Sequence, residues 1–180
     1  MTPNHVTAIR AAIVALLAAL LAIPPQVAIA WVAVVASTIA AILDGVDGWL
    51  ARRTGMITPF GARFDMEVDA LLILVLAILA WRWAKAGPWV VMSGLLRYLF
   101  VAAGWIWPWM RRPLAPTRRA RVICIVQIVA LIVAIAPIIP TPLSTAIAAG
   151  GLLTLAYSFV VDTLRLRRTA DSAYTSPNGS

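Results

Sequence analysis

The 180-residue sequence is poor in the residues that form disulfides and zinc sites. Its single cysteine, Cys124, cannot form a disulfide within the chain. Its single histidine, His5, has neither a second histidine nor a cysteine pair nearby. The sequence therefore argues against a zinc site and against a catalytic set of serine, histidine and aspartate.

Acidic residues are also scarce, because 7 Asp and Glu stand against 15 Lys and Arg, for a net charge of +8. Hydrophobic residues make up 62% of the chain, which is typical of an integral membrane protein and not of a soluble domain. In such a protein, basic residues mark the cytoplasmic side and attract anionic lipids. We therefore expect the lipid bilayer, and not nucleic acid, as the partner of this charge.

Six apolar segments follow one another along the chain, and each is long enough for a membrane-spanning helix of roughly 20 residues. We predict an all-α integral membrane protein, a bundle of six transmembrane helices within one domain over residues 1–168. A disordered polar tail is expected over residues 169–180. The predicted spans cover about residues 7–23, 27–50, 61–80, 88–107, 122–139 and 142–164.

The basic residues predict the orientation of this bundle. If the N-terminus is cytoplasmic, the outer side carries only Arg82 and Lys85, and Arg97 falls within the fourth span. By the positive-inside rule, both termini and the active site then face the cytoplasm in a multi-pass protein of the cell's inner (cytoplasmic) membrane. The arginines of the inner side are Arg10, Arg52, Arg53, Arg63, Arg111, Arg112, Arg118, Arg119, Arg121, Arg165, Arg167 and Arg168.

The first apolar segment has an alternative interpretation. Arg10, the apolar run after it and the small residues Ala28 and Ala30 imitate a cleavable signal peptide. The even number of helices and the arginine distribution favour a retained first helix instead.

Most of the acidic residues lie in one short segment between two apolar spans. Carboxylates are costly near lipid, so their concentration there indicates a functional site. The segment contains five of the seven acidic residues of the chain: Asp44, Asp47, Asp65, Glu67 and Asp69.

Helical spacing sorts these carboxylates by face. Asp44 and Asp47 share one face of a helix with Gly48 and Ala51, and Asp65 and Asp69 share another with Gly61. Glu67 is out of phase and is left out of the site. Two such helices facing each other would form a cleft with four carboxylates, and its small residues would leave room for a ligand. Because four close carboxylates need a counter-charge, a hard cation such as Mg²⁺ is expected among them.

This segment resembles the signature of the CDP-alcohol phosphatidyltransferase family, D-x2-D-G-x2-A-R-x8-G-x3-D-x3-D. Near the N-terminus, Pro3, Asn4, Thr7 and Arg10 resemble the P-N-x2-T-x2-R pattern of the same family. The signature is matched without a gap by Asp44, Asp47, Gly48, Ala51, Arg52, Gly61, Asp65 and Asp69.

The resemblance implies a reaction and a set of roles. The reaction is transfer of a phosphatidyl group from CDP-diacylglycerol to a small alcohol, with release of CMP, by a homodimer that uses Mg²⁺ or Mn²⁺, with two ions expected. Asp44, Asp47, Asp65 and Asp69 would hold the metal, and Asp69 would also act as the catalytic base. The CDP donor would be bound by Asn4, Thr7, Arg10, Gly48, Ala51, Arg52, Thr58 and Gly61.

The acceptor is suggested by arginines of the 111–121 segment, which is on the same side of the membrane as the acidic residues, and by Arg97 within the fourth span. Arg118, Arg121 and Arg97 would bind an acceptor that itself carries phosphate, such as glycerol 3-phosphate or inositol phosphate. The arrangement resembles that of the phosphatidylglycerophosphate synthases. The 111–121 region is rich in proline and lacks the lysine often seen there, so serine and neutral inositol also remain open.

Two other classes of protein compete with this interpretation. An intramembrane prenyltransferase also uses aspartates and Mg²⁺. Its aspartates resemble the DDxxD pattern, however, and this sequence has no adjacent aspartate pair. A non-catalytic membrane scaffold would retain the fold and could lose one of the four aspartates, whereas all four are present.

Overall fold

The computed structural model describes residues 3–54, 59–107 and 118–174. Six α-helices and two short 3₁₀ turns, Leu20–Ala22 and Pro88–Val91, make up the regular structure of these ranges, which contain no strand. The prediction of an all-helical chain is confirmed. The helices are α1 Pro3–Ala19, α2 Val27–Thr54, α3 Pro59–Arg82, α4 Met92–Ile106, α5 Arg118–Ile135 and α6 Thr141–Tyr174.

The bounds of α5 differ from those expected from hydropathy. The helix covers Arg118–Ile135, whereas the apolar run predicted residues 122–139. Pro137 disfavours the α conformation of the residue before it, so the helix ends at Ile135 although the sequence stays apolar. The basic residues at its start join the helix because they are good helix formers.

The last helix runs further than expected. α6 has 34 residues, a length of about 51 Å at 1.5 Å per residue, well beyond a hydrocarbon layer of about 30 Å. It continues to Tyr174, so residues 169–174 are helical where a disordered tail was expected. The remaining part of the predicted tail, residues 175–180, lies outside the described residues.

Three of the helices are long and apolar enough to cross a membrane. These spans are Val27–Val46, Pro88–Ile106 and Thr141–Arg167, and Val6–Ala22 is a shorter apolar helix. α3 is excluded by charge and not by length, since its first half contains acidic and basic residues. This charged first half of α3 contains Asp65 and Asp69, two of the candidate site residues.

α3 lies at the centre of the bundle and packs against α1, α4 and α5. Residues 72–80 of α3 are buried or half-buried, and Leu72, Leu76 and Leu79 have no exposed surface. Burial of such side chains is the main apolar contribution to packing. Because α3 is fixed by its apolar half, the acidic first half is held in a defined position beside α1, on which α2 also packs.

At the opposite end of α3, Lys85 ties two loops together. Its Nζ donates hydrogen bonds to the carbonyl oxygens of Ala136 at 3.0 Å and Ile139 at 2.7 Å, just after α5. The hydroxyl of Ser144 donates to the carbonyl oxygen of Lys85 at 2.6 Å. Lys85 thus links the connection after α3 to the connection after α5 through the carbonyl oxygens of two residues that follow the helix.

Close packing of α4 on α3 depends on Gly94. A Cβ atom at this buried position would lie 2.5 Å from the Cα atom of Leu74, a backbone atom that cannot rotate away. We predict that Gly94→Ala lowers the free energy of unfolding by about 1–3 kcal/mol, as overpacking does elsewhere. The thermal unfolding midpoint of the purified protein measures this loss.

Gly150 provides a matched control, because it is also a helix-interior glycine but a Cβ there meets nothing within 4 Å. Gly150→Ala should leave the unfolding midpoint unchanged or raise it slightly, since alanine favours helix. Equal effects of the two substitutions would contradict the close α3–α4 contact.

Candidate functional site

Three carboxylates from two helices meet at one end of the bundle. Asp44 lies on α2, and Asp65 and Asp69 lie one turn apart on α3. One oxygen atom from each of the three carboxylates lies within 4.8 Å of the others. We call Asp44, Asp65 and Asp69 the acidic cluster. Helical spacing alone had placed Asp65 and Asp69 on one face, and the packing of α2 on the same bundle adds Asp44.

The side chain of Arg10 inserts into the acidic cluster from α1. Its Nη1 lies 2.9 Å from Oδ1 of Asp44 and also contacts Oδ1 of Asp65. Its Nη2 donates to Oδ1 of Asp69. One guanidinium therefore joins three helices through three carboxylates, with the planar, multi-donor geometry for which arginine is suited.

The cluster is graded in exposure. The Arg10 side chain has 0% of its surface exposed, whereas Asp44 and Asp69 retain 19% each and Asp65 37%. The carboxylates therefore keep some solvent-accessible surface, whereas the guanidinium has none.

The composition of the cluster fits a divalent cation. Hard cations such as Mg²⁺ and Mn²⁺ prefer carboxylate oxygens, and the three oxygen atoms already lie close together. Three ionised carboxylates and one guanidinium leave a formal charge of −2, which one divalent cation would balance. The residues present therefore suit the metal that the sequence predicts.

Some of the residues predicted to bind the CDP donor lie on these same helices. Thr7 is buried on α1, one turn before Arg10, and Gly48 and Gly61 are half-buried on α2 and α3. The side chains of Asn4, Asp47, Ala51 and Arg52 lie outside what the structure describes, as does Thr58 entirely.

Arg97 is engaged by the carboxylate that was left out of the site. Its Nη2 donates to Oε1 of Glu67 at 2.5 Å, which links α4 to α3. Glu67 is about 200° around the helix from both Asp65 and Asp69, at 100° per residue, so this pair lies away from the cluster face. The sequence predicted an acceptor phosphate as the partner of Arg97, whereas its partner in the structure is Glu67.

A third ion pair joins the last two helices. Arg119 on α5 contacts Asp162 on α6, and both side chains are largely buried. Neither residue was predicted to have a role. A search for arginine partners of the acids within the helical segments could have found both pairs, because Glu67 and Asp162 are carboxylates that the signature leaves unassigned.

The residues predicted to bind the acceptor fall near this pair along the chain. Arg121 on α5 is exposed, and the side chain of Arg118 lies outside the described residues. Because Arg119 is paired with Asp162, Arg121 is more available than Arg119 to bind an anion.

This chain is similar to a known protein family and to a named bacterial enzyme. The CDP-alcohol phosphatidyltransferase family matches residues 1–161, which is most of the chain. A CDP-diacylglycerol–glycerol-3-phosphate 3-phosphatidyltransferase from Pseudomonas fluorescens is 35% identical over 80 residues, covering 43% of this chain and 39% of the relative. The resemblance seen in the sequence is confirmed: this chain belongs to the CDP-alcohol phosphatidyltransferase family.

Proposed function

We propose that this protein transfers a phosphatidyl group from CDP-diacylglycerol to a small alcohol and releases CMP. The observation that carries the proposal is the acidic cluster, three carboxylates with an excess negative charge in an apolar bundle of this family. Charge of this kind is costly near lipid, so its presence indicates a functional site. Asp47 is proposed as the fourth carboxylate of the same site.

The reaction needs a base and a way to bind a diphosphate. The hydroxyl oxygen of the acceptor attacks the phosphorus atom that bears diacylglycerol, the bond from this phosphorus to the oxygen of CMP breaks, and CMP leaves with that oxygen. Asp69 accepts the proton of the attacking hydroxyl, a role open to a carboxylate within hydrogen-bond reach. A divalent cation held by Asp44, Asp47, Asp65 and Asp69 would neutralise the diphosphate and stabilise the departing CMP.

The donor pocket is proposed along α1, the end of α2 and the start of α3. Asn4, Thr7 and Arg10 would line it from α1, and Arg52 would contact the donor phosphates. Gly48, Ala51, Thr58 and Gly61 would shape the space for cytidine. The half-buried positions of Gly48 and Gly61 and the buried position of Thr7 agree with this placement.

We propose a phosphorylated acceptor, either glycerol 3-phosphate or inositol phosphate. Arg118 and Arg121 at the start of α5 would bind its phosphate, with Arg97 as a third candidate. The name of the Pseudomonas fluorescens relative supports glycerol 3-phosphate. Because Arg97 is bonded to Glu67, its part in binding would require that it shares its donors between the two anions.

The proposed setting is the cytoplasmic (inner) membrane, with six spans, both termini inside and the acidic cluster facing the cytoplasm. The three longest apolar helices and the distribution of arginine support this arrangement. A homodimer is proposed from family membership.

Release of CMP by the purified protein tests the function. CDP-diacylglycerol is supplied with glycerol 3-phosphate, inositol phosphate, inositol or serine, in Mg²⁺ or in EDTA. Release that requires Mg²⁺ and one acceptor supports the proposal and names the substrate. Donor binding without release in any reaction would favour the non-catalytic scaffold.

Asp69→Asn should lower the rate of CMP release by about 10²–10⁴-fold, because the substituted amide cannot accept the proton. The kcat measured at saturating substrates reports this loss. Asp162→Asn is the matched control, since it removes another largely buried carboxylate that lies in the Arg119 pair. Comparable losses in the two variants would remove Asp69 from its role as the base.

Arg118→Ala and Arg121→Ala should raise the KM for a phosphorylated acceptor about tenfold or more, while the KM for CDP-diacylglycerol changes little. Arg167→Ala removes an exposed arginine of α6 and serves as the control for a general loss of positive charge. If all three variants raise both KM values equally, these arginines act only on orientation or lipid attraction.

A further inference from the structure

We propose that Arg10 is a built-in counter-cation of the acidic cluster, which holds the carboxylates together before a divalent cation binds and then competes with that cation for their oxygen atoms. The inference rests on the proposed metal site and concerns what Arg10 does in the absence of substrates. It assigns Arg10 a positioning role, in addition to the donor contact proposed above.

The Arg10 side chain is fully buried. The residues next to Arg10 along α1 are apolar, and none of the Arg10 side-chain surface is exposed. A buried guanidinium is tolerated only when it is paired and hydrogen-bonded. Its contacts with Asp44, Asp65 and Asp69 are the ion pairs that the described residues provide for it. The guanidinium and the carboxylates are thus each other's compensation.

Arg10 and a bound cation would contact the same three carboxylates. The guanidinium contacts the Oδ1 atom of each of the three aspartates, and each aspartate offers a cation one carboxylate oxygen from the same small volume. A guanidinium and a divalent cation bound to the same three carboxylates would lie a few ångströms apart and repel each other. Binding of the cation must therefore weaken or displace at least part of the Arg10 contacts.

The Arg10 contacts connect three helices. Arg10 belongs to α1, Asp44 to α2, and Asp65 and Asp69 to α3. Without Arg10, three carboxylates on two helices would repel one another and drive the acidic ends of α2 and α3 apart. A divalent cation can replace this link, and a displaced guanidinium would be free to meet the phosphates of the donor.

Removal of the positive charge tests the inference. In Arg10→Met, which keeps an unbranched side chain, the unfolding midpoint in EDTA should fall, while the midpoint in saturating Mg²⁺ should approach that of the unmodified protein. The apparent Kd for Mg²⁺ or Mn²⁺, taken from the dependence of the midpoint on cation concentration, should fall about tenfold or more. No substrate is present, so the readout does not depend on turnover.

Two further variants make the result specific. Arg10→Lys keeps the charge but loses the planar fork, so its cation Kd should lie between those of the unmodified protein and Arg10→Met. Arg119→Met breaks the ion pair with Asp162 and should lower the midpoint equally in EDTA and in Mg²⁺. If Arg10→Met cannot be purified even in Mg²⁺, the comparison of Arg10→Lys with the unmodified protein decides the question.

The outcomes separate this inference from the proposed function. Arg10 variants that bind the cation no more tightly than the unmodified protein, or more weakly, would overturn the counter-cation role while leaving the metal site in place. An unmodified protein whose midpoint does not respond to Mg²⁺ or Mn²⁺ would overturn the metal site itself, and the inference with it. If the unfolding midpoint depends on the cation, and the apparent cation Kd falls when Arg10 is replaced, the result supports both the metal site and the counter-cation role.

Discussion

The need to compensate charge inside an apolar bundle governs how these helices meet. Three largely buried arginines on three different helices each contact a carboxylate of another helix. Arg10 joins α1 to α2 and α3, Arg97 joins α4 to α3, and Arg119 joins α5 to α6. Buried ion pairs are weak evidence for added stability, because desolvation offsets much of the attraction. Their effect is on specificity, since a rotation of any of these helices would leave a charge without its partner.

The three sets of charges are not equivalent, and the difference separates structure from function. The pairs Arg97–Glu67 and Arg119–Asp162 are formally neutral and have no need of another ion. The acidic cluster has three carboxylates for one guanidinium, and its carboxylates remain partly exposed while the guanidinium is not. Within the described cluster, the excess of carboxylates over the guanidinium therefore belongs to side chains that keep some exposed surface. That imbalance, and not the presence of acids alone, is what identifies this end of the bundle as the site.

Sequence reasoning succeeded where the physical signal is local. Hydropathy located all six helices, and the spacing of Asp65 and Asp69 placed them on one face, because helix periodicity acts over a few residues. The signature located the family through fixed spacing along one segment. The end of α5 was wrong by four residues, since the apolar run was followed past Pro137, whose effect on backbone conformation outweighs hydropathy.

Contacts between distant segments were less accessible. Arg10 is 55 residues from Asp65 and 59 from Asp69, and its pairing depends on the rotation of α1 about its axis, which no local pattern determines. The need for a counter-charge was evident from the carboxylates, but it was assigned wholly to a metal. Arg97 and Arg119 were open to a simpler inference, because an arginine within an apolar helix requires an acid, and Glu67 and Asp162 were acids without an assigned role.

The first turns of α3 show how one helix serves both purposes. Asp65 and Asp69 belong to the acidic cluster. Glu67, between them in sequence, lies on another face of the helix and contacts Arg97 on α4. The pair on α4 therefore constrains the rotation of the same turns that present the site carboxylates. A small rotation of α3 would weaken the Glu67 contact and move Asp65 and Asp69 relative to Asp44 at the same time. The position of the candidate site is thus set by a neutral ion pair outside it, together with the apolar contacts of Leu72, Leu76 and Leu79 further along the helix.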